Sequence, residues 1–174
     1  IRTLTVTGTT FPCNVYVSAG SNIEPVKHLR MAYTVLTEVY GPLTTSSVYC
    51  NPAVGFVGDD FLNMVVGFST NASPQSIHDF LKQINHRAGR PLNGPGYVSR
   101  TLDLDLLLYG DRVIESDDVR VPHEDIKNYG FVLGPLAEIA PDLRHPANGH
   151  TIAELWDAFD HDRHPLTRLV ISPL

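Results

Sequence analysis

The sequence predicts a mixed α/β (α+β) fold. We expect a ferredoxin-like βαββαβ sandwich with C-terminal helical additions. Four segments carry the alternating or β-branched apolar residues typical of strands, and two segments repeat apolar residues every three to four positions, as helices do. Along the chain these segments follow the order strand, helix, strand, strand, helix, strand. This is the order of the split βαβ unit of a ferredoxin-like fold.

The first strand and the first helix are predicted close to the start of the chain. "NVYVSAGSN" (14–22) alternates as a strand does and breaks at "GSN" (20–22), residue types suited to a turn and a helix cap. Pro25 fits the first turn of the helix that follows, and Gly41 ends it. The apolar residues of this helix recur at helical spacing: Val26, Leu29, Ala32, Tyr33, Leu36 and Val39.

The middle of the chain predicts two strands and a second helix. Residues 44–50, rich in Thr, Ser and Val, form the second strand, and "FLNMVVGFST" (61–70) forms the third after a loop. Ser73 and a following proline open the second helix, which ends at Gly89. Its apolar positions keep the 3.6-residue period: Ile77, Phe80, Leu81 and Ile84.

The second half of the chain predicts a loop, the fourth strand and two further helices. Glycine and proline interrupt residues 90–99, which we expect to form a mobile loop and a lid over substrate. The fourth strand follows at 101–109. "PLAEIAP" (135–141) indicates a short helix between prolines, and Thr151 with Glu154 forms a capping box for the last helix.

Composition predicts one soluble globular domain. The 174 residues are 43% hydrophobic and 18% charged, which is typical of neither disordered nor membrane proteins. We expect a single domain over 1–174, with 1–12 as an N-terminal extension and a core over about 14–160. No apolar run approaches the roughly 20 residues of a spanning helix.

Charge and cysteine content narrow the classes of partner. The formal net charge is −6 without a basic block, which argues against nucleic acid as a partner. Cys13 and Cys50 stand far apart in no ligand spacing, which argues against a zinc site or a disulfide-stapled secreted domain. We therefore expect a cytoplasmic protein that binds no membrane, with a monomer as the default oligomeric state.

Two aspartates in the stretch "SRTLDLDLLLYGD" indicate a metal site. Asp103 and Asp105 share one face of the predicted strand, about 6.6 Å apart at Cα. The opposite face is predicted to hold Leu102, Leu104, Leu106 and Leu108. A set of metal ligands that contains carboxylate oxygens but no Cys or His suits a hard ion such as Mg²⁺. From the aspartates alone, the simpler hypothesis is a strand-edge pair that Arg100 bridges or that faces solvent.

Cations near this strand favour a bound polyphosphate. Arg90, Arg100 and His123 are close in sequence, and cations beside a carboxylate pair that holds metal suit a polyphosphate. Arg100 has the wrong parity to share the aspartates' face, so we expect it in an irregular segment before the strand. The chain has no phosphate-loop motif. A D-x-D site of a nucleotide-sugar transferase is the last-ranked hypothesis, because the chain is short for the sheet of such enzymes.

Several stretches then match one family in order and spacing: "VYVSAGSN", "NPAVG", "FLNMVV", "GR", "RTLDLDLLLYG", "VPHEDIKNYGFVLGPLAEIAP" and "HPANGHTIAELW". The combination of "RTLDLDLLLYG" with "VPH" and "FVLGPL" is specific. The chain resembles the 6-hydroxymethyl-7,8-dihydropterin pyrophosphokinases of folate biosynthesis over about residues 14–156. The resemblance implies a ferredoxin-like fold and the transfer of pyrophosphate from ATP to the pterin's hydroxymethyl oxygen, which releases AMP.

The resemblance also implies roles for individual residues on the nucleotide side. ATP is the co-substrate, and Asp103 and Asp105 would hold two Mg²⁺ ions that bridge the triphosphate. Arg90 and Arg100 would contact the phosphates, and His123 would reach the α-phosphate side. A solvent-exposed loop histidine is the alternative for His123.

On the pterin side, the resemblance implies one amide and two aromatic rings. Asn63 would hydrogen-bond the edge of the ring, with Phe61 and Phe131 stacked on its faces. Ordinary core positions are the alternative for the two phenylalanines. The backbone of 51–55 would add polar contacts, with Asn51, Ala53 and Gly55 as the contributing residues.

The chain departs from the family pattern in its cationic residues. Leu92 and Asn93 stand where cations are usual, and Tyr97 replaces a tryptophan. Tyr129 replaces an arginine, and Asn85 replaces a carboxylate often found on the second helix. Either other cations compensate, with Lys127, Arg112 and Arg120 as candidates, or the protein is a divergent paralogue that binds pterin or nucleotide without efficient turnover. We favour the enzyme, because the residues with implied roles occur together.

Overall fold

The computed structural model describes residues 11–89 and 99–171. Its strands within these ranges are β1 (Cys13–Ser21), β2 (Thr44–Thr45), β3 (Val48–Asn51), β4 (Phe61–Thr70), β5 (Asp103–Tyr109), β6 (Ile114–Glu115), β7 (Arg120–Val121) and β8 (Thr167–Leu169). Its helices there are α1 (Pro25–Tyr40), α2 (Pro74–Arg87), α3 (Asp125–Asn128), α4 (Gly130–Ile139) and α5 (Ile152–Asp157). The predicted βαββαβ order is confirmed, with the predicted second strand split into β2 and β3.

Six of these strands form one antiparallel sheet. The strand order is β5-β1-β4-β3-β8, and β2 also pairs with β4. β4 lies between β1 and β3, and β1 lies between β4 and β5, so each strand–helix–strand crossover spans one intervening strand, as in the split βαβ unit. The predicted fold class is therefore confirmed. β8 was not predicted, because three residues are too few to show a period.

Each face of the sheet carries its own hydrophobic core. One core packs the sheet against α1 and α2, with Leu29, Leu36, Ile77 and Leu81 buried. The other packs the opposite face against α4 and α5, with Val65, Leu107, Leu133, Leu136 and Ile152 buried. Full burial of one such side chain stabilises the fold by roughly 1.5–3 kcal/mol. Among the described residues, no helix has the length and apolarity needed to cross a membrane.

A bulge in β5 changes the predicted leucine pattern. Val17 of β1 pairs with Leu106, but Tyr16 pairs with Leu108, so Leu107 is an extra residue in the ladder. The leucines before the bulge lie in the core under α1 and α2, as predicted. Leu108 lies in the opposite core, so its predicted face is wrong. The physical reason is that one inserted residue reverses the alternation of a strand.

Two local predictions around the helices are also wrong. Glu24, with φ 43°, precedes α1 without a side-chain capping bond, and Asn22 does not cap that helix. The helix predicted between the prolines of 135–141 begins earlier, at Gly130, and contains Pro135. α4 is largely buried. We attribute its tolerance of an internal proline, which costs about 3 kcal/mol, to that burial.

Asn85 on α2 completes the outer edge of β5. Its Nδ2 donates to the carbonyl of Leu104 at 3.2 Å, and its Oδ1 accepts from the N–H of Leu104 at 2.8 Å. β5 is the edge strand of the sheet that the described residues form, so this buried amide replaces the two backbone bonds that another strand would make. Leu104 lies between Asp103 and Asp105, so the bond pair anchors the segment that carries both carboxylates.

The Asn85→Leu variant is expected to lower the free energy of unfolding by about 1–3 kcal/mol, because it leaves backbone groups of Leu104 buried without partners. Urea denaturation measures this change. Gln83→Leu, on the exposed side of the same helix, is the control and should shift stability by no more than about 0.5 kcal/mol. Equal unfolding midpoints for the two variants would contradict the structural role of Asn85.

Candidate active site

A cleft of about 360 Å³ opens on the sheet face that carries α4. Its wall contains residues that are far apart in sequence, from β1, β3, β4, β5 and α4 and from the segments between them. Most of the predicted site residues lie on this wall: Asn51, Phe61, Asn63, Arg100, Asp103, Asp105, His123 and Phe131. The fold therefore brings the predicted nucleotide and pterin residues to one place.

The strand register sets the floor of the cleft. Gly20 of β1 pairs with Asp103 of β5 on one side and with Asn63 of β4 on the other. Two residues earlier, Ser18 pairs with Asp105. Because neighbouring strands lie about 4.8 Å apart, the acids and the amide share one face roughly 10 Å apart. Only small side chains of β1 stand between them, which leaves the floor open for a ligand.

Gly20 is required for the position of the Asn63 amide. A Cβ atom at residue 20 would lie 2.6 Å from Oδ1 of Asn63, closer than side chains tolerate. Asn63 is 6% exposed, and its Nδ2 donates a hydrogen bond to Oδ1 of Asn51. This bond orients the Asn63 amide, and Oδ1 of the same amide occupies space that a Cβ at residue 20 would need.

Aromatic rings line the wall beside the amide. Phe61 meets Phe56 edge to face, with centroids 6.2 Å apart. Phe131 stacks on Tyr129 at 5.0 Å with an interplanar angle of 20°. Tyr129 thus contributes a ring to the wall. Phe56 also lines the cleft and was not predicted, since its sequence context is a glycine-rich loop without a period.

The bulge in β5 anchors His123. The N–H of His123 donates to the carbonyl of Leu107, the extra residue of the bulge, at 2.9 Å. Nδ1 of His123 accepts from the N–H of Asp125 at 3.2 Å. An accepting Nδ1 places the proton of the neutral ring on Nε2. The ring therefore has one nitrogen fixed by the protein and an N–H to offer to an acceptor.

The carboxylates of Asp105 and Asp125 meet beside His123, and these oxygens suit a cation. Ligand atoms of Asp105, His123 and Asp125 all lie within 4.8 Å of one another. Oδ2 of Asp125 is 3.7 Å from Nδ1 of His123. Burial raises the pKa of the Asp125 carboxyl above its ordinary value, and the adjacent His123 opposes this rise. Asp125 was not predicted, although "HED" places it two residues after a predicted site residue.

Arg100 lies in the irregular segment before β5, as its parity predicts. It forms an ion pair with Asp103, in which the two side chains are 15% and 21% exposed. The simpler alternative to a metal site was a pair of aspartates bridged by Arg100. The structure shows such a contact for Asp103. Asp105 instead faces His123 and Asp125. The two predicted metal ligands therefore share a face and a cleft but have different neighbours.

The other predicted residues are not part of the described wall of the cleft. Arg90 and most of loop 90–99, with Leu92, Asn93 and Tyr97, fall outside the described residues. Ala53 and Gly55 flank Val54, which lines the cleft, but are not themselves on the described wall. The compensating cations considered above are also missing from that described lining: Lys127, Arg112 and Arg120.

Comparisons with known proteins identify one family. Residues 16–141 match the family model described as 7,8-dihydro-6-hydroxymethylpterin-pyrophosphokinase. The 2-amino-4-hydroxy-6-hydroxymethyldihydropteridine pyrophosphokinase of Haemophilus influenzae is 38% identical over 151 residues, which cover 84% of this chain and 93% of that protein. The protein of the same name from Synechocystis is 37% identical over 161 residues, which cover 89% of this chain and 82% of the relative.

Solved structures agree on the fold. The wild-type HPPK-DHPS of Plasmodium falciparum matches with a TM-score of 0.67 at 14% identity, over 87% of this chain and 45% of the other. A structure of HPPK-DHPS in complex with substrates matches with a TM-score of 0.68 at 12% identity, over 86% and 43%. The present chain thus spans less than half of each of these longer chains. From its sequence matches, the chain belongs to the 7,8-dihydro-6-hydroxymethylpterin-pyrophosphokinase family.

Proposed function

We propose that this chain transfers pyrophosphate from ATP to 6-hydroxymethyl-7,8-dihydropterin with Mg²⁺, and that the cleft on the α4 face is the active site. The transfer is the reaction for which the family is named. The observation that carries the assignment of the site is the strand register, which aligns Asp103, Gly20 and Asn63 across three strands. One cleft thereby offers carboxylates for a metal-bound polyphosphate and a buried amide for a heterocycle.

The carboxylate side fits Mg²⁺. Asp103 and Asp105 provide oxygen ligands on one strand face, and Asp125 adds a third carboxylate within the cluster described above. Hard oxygen donors are those that Mg²⁺ prefers, usually together with substrate phosphates. The two ions that we propose here would neutralise charge on the triphosphate and on the leaving AMP. Asp103 and Asp105 are the ligands that we assign to them.

Cationic and hydrogen-bonding groups next to the carboxylates suit the phosphates. Arg100 is held at the cleft by its ion pair with Asp103, so its guanidinium fork would lie beside the proposed triphosphate. His123 offers Nε2–H, which suits an α-phosphate oxygen. We also assign Arg90 to the phosphates, on the resemblance to the family alone. Tight positioning of the reacting groups is the main contribution that we expect from these residues.

The amide side suits the pterin. Asn63 offers a donor and an acceptor to the edge of a flat heterocycle. Phe61 and Phe131 supply aromatic faces, each supported by a second ring of the wall. Asn51 orients the Asn63 amide. With the ring held there, the hydroxymethyl oxygen attacks the β-phosphorus and releases its proton to solvent, the bond between that phosphorus and the α-phosphate bridging oxygen breaks, and AMP leaves.

We also propose that 1–174 carries one pyrophosphokinase domain, with 1–12 as an N-terminal extension and a core over about 14–160, and that the protein acts in the cytoplasm. Cys13 and Cys50 are unpaired thiols, which is consistent with a reducing compartment.

Formation of AMP tests the proposed function. Incubation with Mg²⁺, ATP and 6-hydroxymethyl-7,8-dihydropterin is expected to release AMP only when the pterin and the metal are both present. Chromatography of the nucleotides measures the product. Binding of both substrates without AMP would identify a divergent paralogue that lacks turnover, a reading that Tyr129 in place of an arginine favours. Tighter binding of a UDP-sugar than of ATP would contradict the assignment to pyrophosphoryl transfer.

A further inference from the structure

We propose that Asn22 is a positioning residue for this reaction. Its side-chain amide links Arg100, on the phosphate side of the cleft, to residues 52–60, the segment that leads into the pterin side. The inference rests on the function proposed above, because it assigns Arg100 and the 52–60 segment to the two substrates. Asn22 itself is absent from the described wall of the cleft, so it acts through its neighbours.

The first link fixes the backbone of Arg100. Oδ1 of Asn22 accepts from the N–H of Arg100 at 2.7 Å, and the N–H of Asn22 donates to the Arg100 carbonyl at 3.0 Å. The hydroxyl of Ser21 reaches the same carbonyl at 3.5 Å. Arg100 stands three residues before Asp103 in an irregular segment. These bonds, rather than a strand ladder, therefore fix the backbone position from which the Arg100 side chain extends.

The second link holds the opposite segment. Nδ2 of Asn22 donates to the carbonyl of Asp59, in that segment, at 3.1 Å, and also to Oγ of Ser99, next to Arg100, at 3.2 Å. Asp59 precedes Phe61 by two residues, and Val54 and Phe56 of the same segment line the cleft. Both donor protons of the amide are thus used, and its oxygen is used by Arg100. One side chain sets the spacing between the two sides of the cleft.

The environment of Asn22 favours this role over a purely local one. The residue is 4% exposed, and a buried amide is costly unless its hydrogen bonds are made. It does not cap α1, the role that its sequence position predicts. All the side-chain bonds described for it go to segments that lead into the cleft. Its removal should therefore change the geometry of the site more than it changes the stability of the sheet.

A double-mutant cycle with Arg100 tests the proposal. Asn22→Leu is expected to lower kcat/KM for ATP about 100-fold, as a small misplacement of a catalytic group does. In an Arg100→Lys background the same change should cost less than about 3-fold, because a flexible lysine has no fixed fork to misplace. Asn14→Leu, at the exposed start of β1, is the matched control and should leave kcat/KM unchanged in both backgrounds.

A second variant separates the two links and covers the case in which Asn22→Leu does not fold. Asn22→Asp keeps the acceptor for the Arg100 N–H, and the hydroxyl of Ser99 can donate to the new carboxylate, so only the bond to the Asp59 carbonyl is lost. It is expected to raise KM for the pterin about 10-fold and to raise KM for ATP by less than about 3-fold, since loss of the hydrogen bond to the 52–60 segment disturbs only that side.

The outcomes distinguish this inference from the proposed function. If the unmutated protein forms no AMP, the proposed function fails and the inference fails with it. If the unmutated protein is active but Asn22→Leu lowers kcat/KM equally with Arg100 and with Lys at position 100, Asn22 does not act through Arg100 and the inference alone is overturned. Equal changes in the two KM values for Asn22→Asp would also overturn it.

Discussion

Asp105→Asn is expected to weaken Mg²⁺-dependent nucleotide binding and to lower kcat by roughly 100- to 1,000-fold, the range seen when one group that stabilises transition-state charge is lost. The carboxylate faces His123 and Asp125 in the cluster that suits a cation, so its neutral amide would lose the attraction for the metal. Titration calorimetry with a non-hydrolysable ATP analogue, with and without Mg²⁺, measures the binding separately from turnover.

Asp103→Asn should give a similar loss of Mg²⁺-dependent binding, because we assign both aspartates to the metal. Asp111→Asn is the matched control, since it removes the same charge from an exposed residue just after β5. Thermal unfolding should show that the Asp103 and Asp105 variants remain folded. Unchanged affinity for the Mg²⁺–nucleotide complex in either folded variant would contradict the role assigned to that aspartate.

Asn63→Ala is expected to raise the Kd for the pterin about 10- to 100-fold and to leave nucleotide binding unchanged. The variant removes the buried amide that we assign to the edge of the ring and removes the donor to Oδ1 of Asn51, which costs about 1–3 kcal/mol. Titration calorimetry with the pterin in the presence of the Mg²⁺–ATP analogue measures the change.

Asn71→Ala provides the comparison, because Asn71 is an exposed asparagine directly after β4. A loss of nucleotide affinity in Asn63→Ala as large as the loss of pterin affinity would show that Asn63 supports the cleft as a whole. Unchanged pterin affinity would remove Asn63 from the substrate site.

Predictions that depended on local periodicity agree with the structure. The 3.6-residue repeat located α1 and α2, and the capping box of Thr151 and Glu154 located α5. Two-residue alternation placed Asp103 and Asp105 on one strand face, where both line the cleft. These features depend on residues within one turn or a few strand positions, so a single sequence contains the information needed to predict them.

Local patterns were insufficient where contacts between distant segments outweighed them. The bulge at Leu107 reversed the predicted face of Leu108 and supplied the carbonyl that anchors His123. Asn22 looks like a helix cap in the sequence but is drawn into bonds with Asp59 and Arg100. Neither outcome is visible in the local pattern, because the partners lie far along the chain.

By itself, the sequence determined the βαββαβ order of the main strands and helices, the acidic strand and the family resemblance. Only the tertiary structure decided that Gly20 would pair with Asp103 on one side and Asn63 on the other, and that Asp125 would join Asp105 and His123. The physical reason is that strand register and loop placement are set by packing and hydrogen bonds over the whole sheet. The cleft is a product of that register, since it exists only where the small residues of β1 stand between the two sets of polar groups.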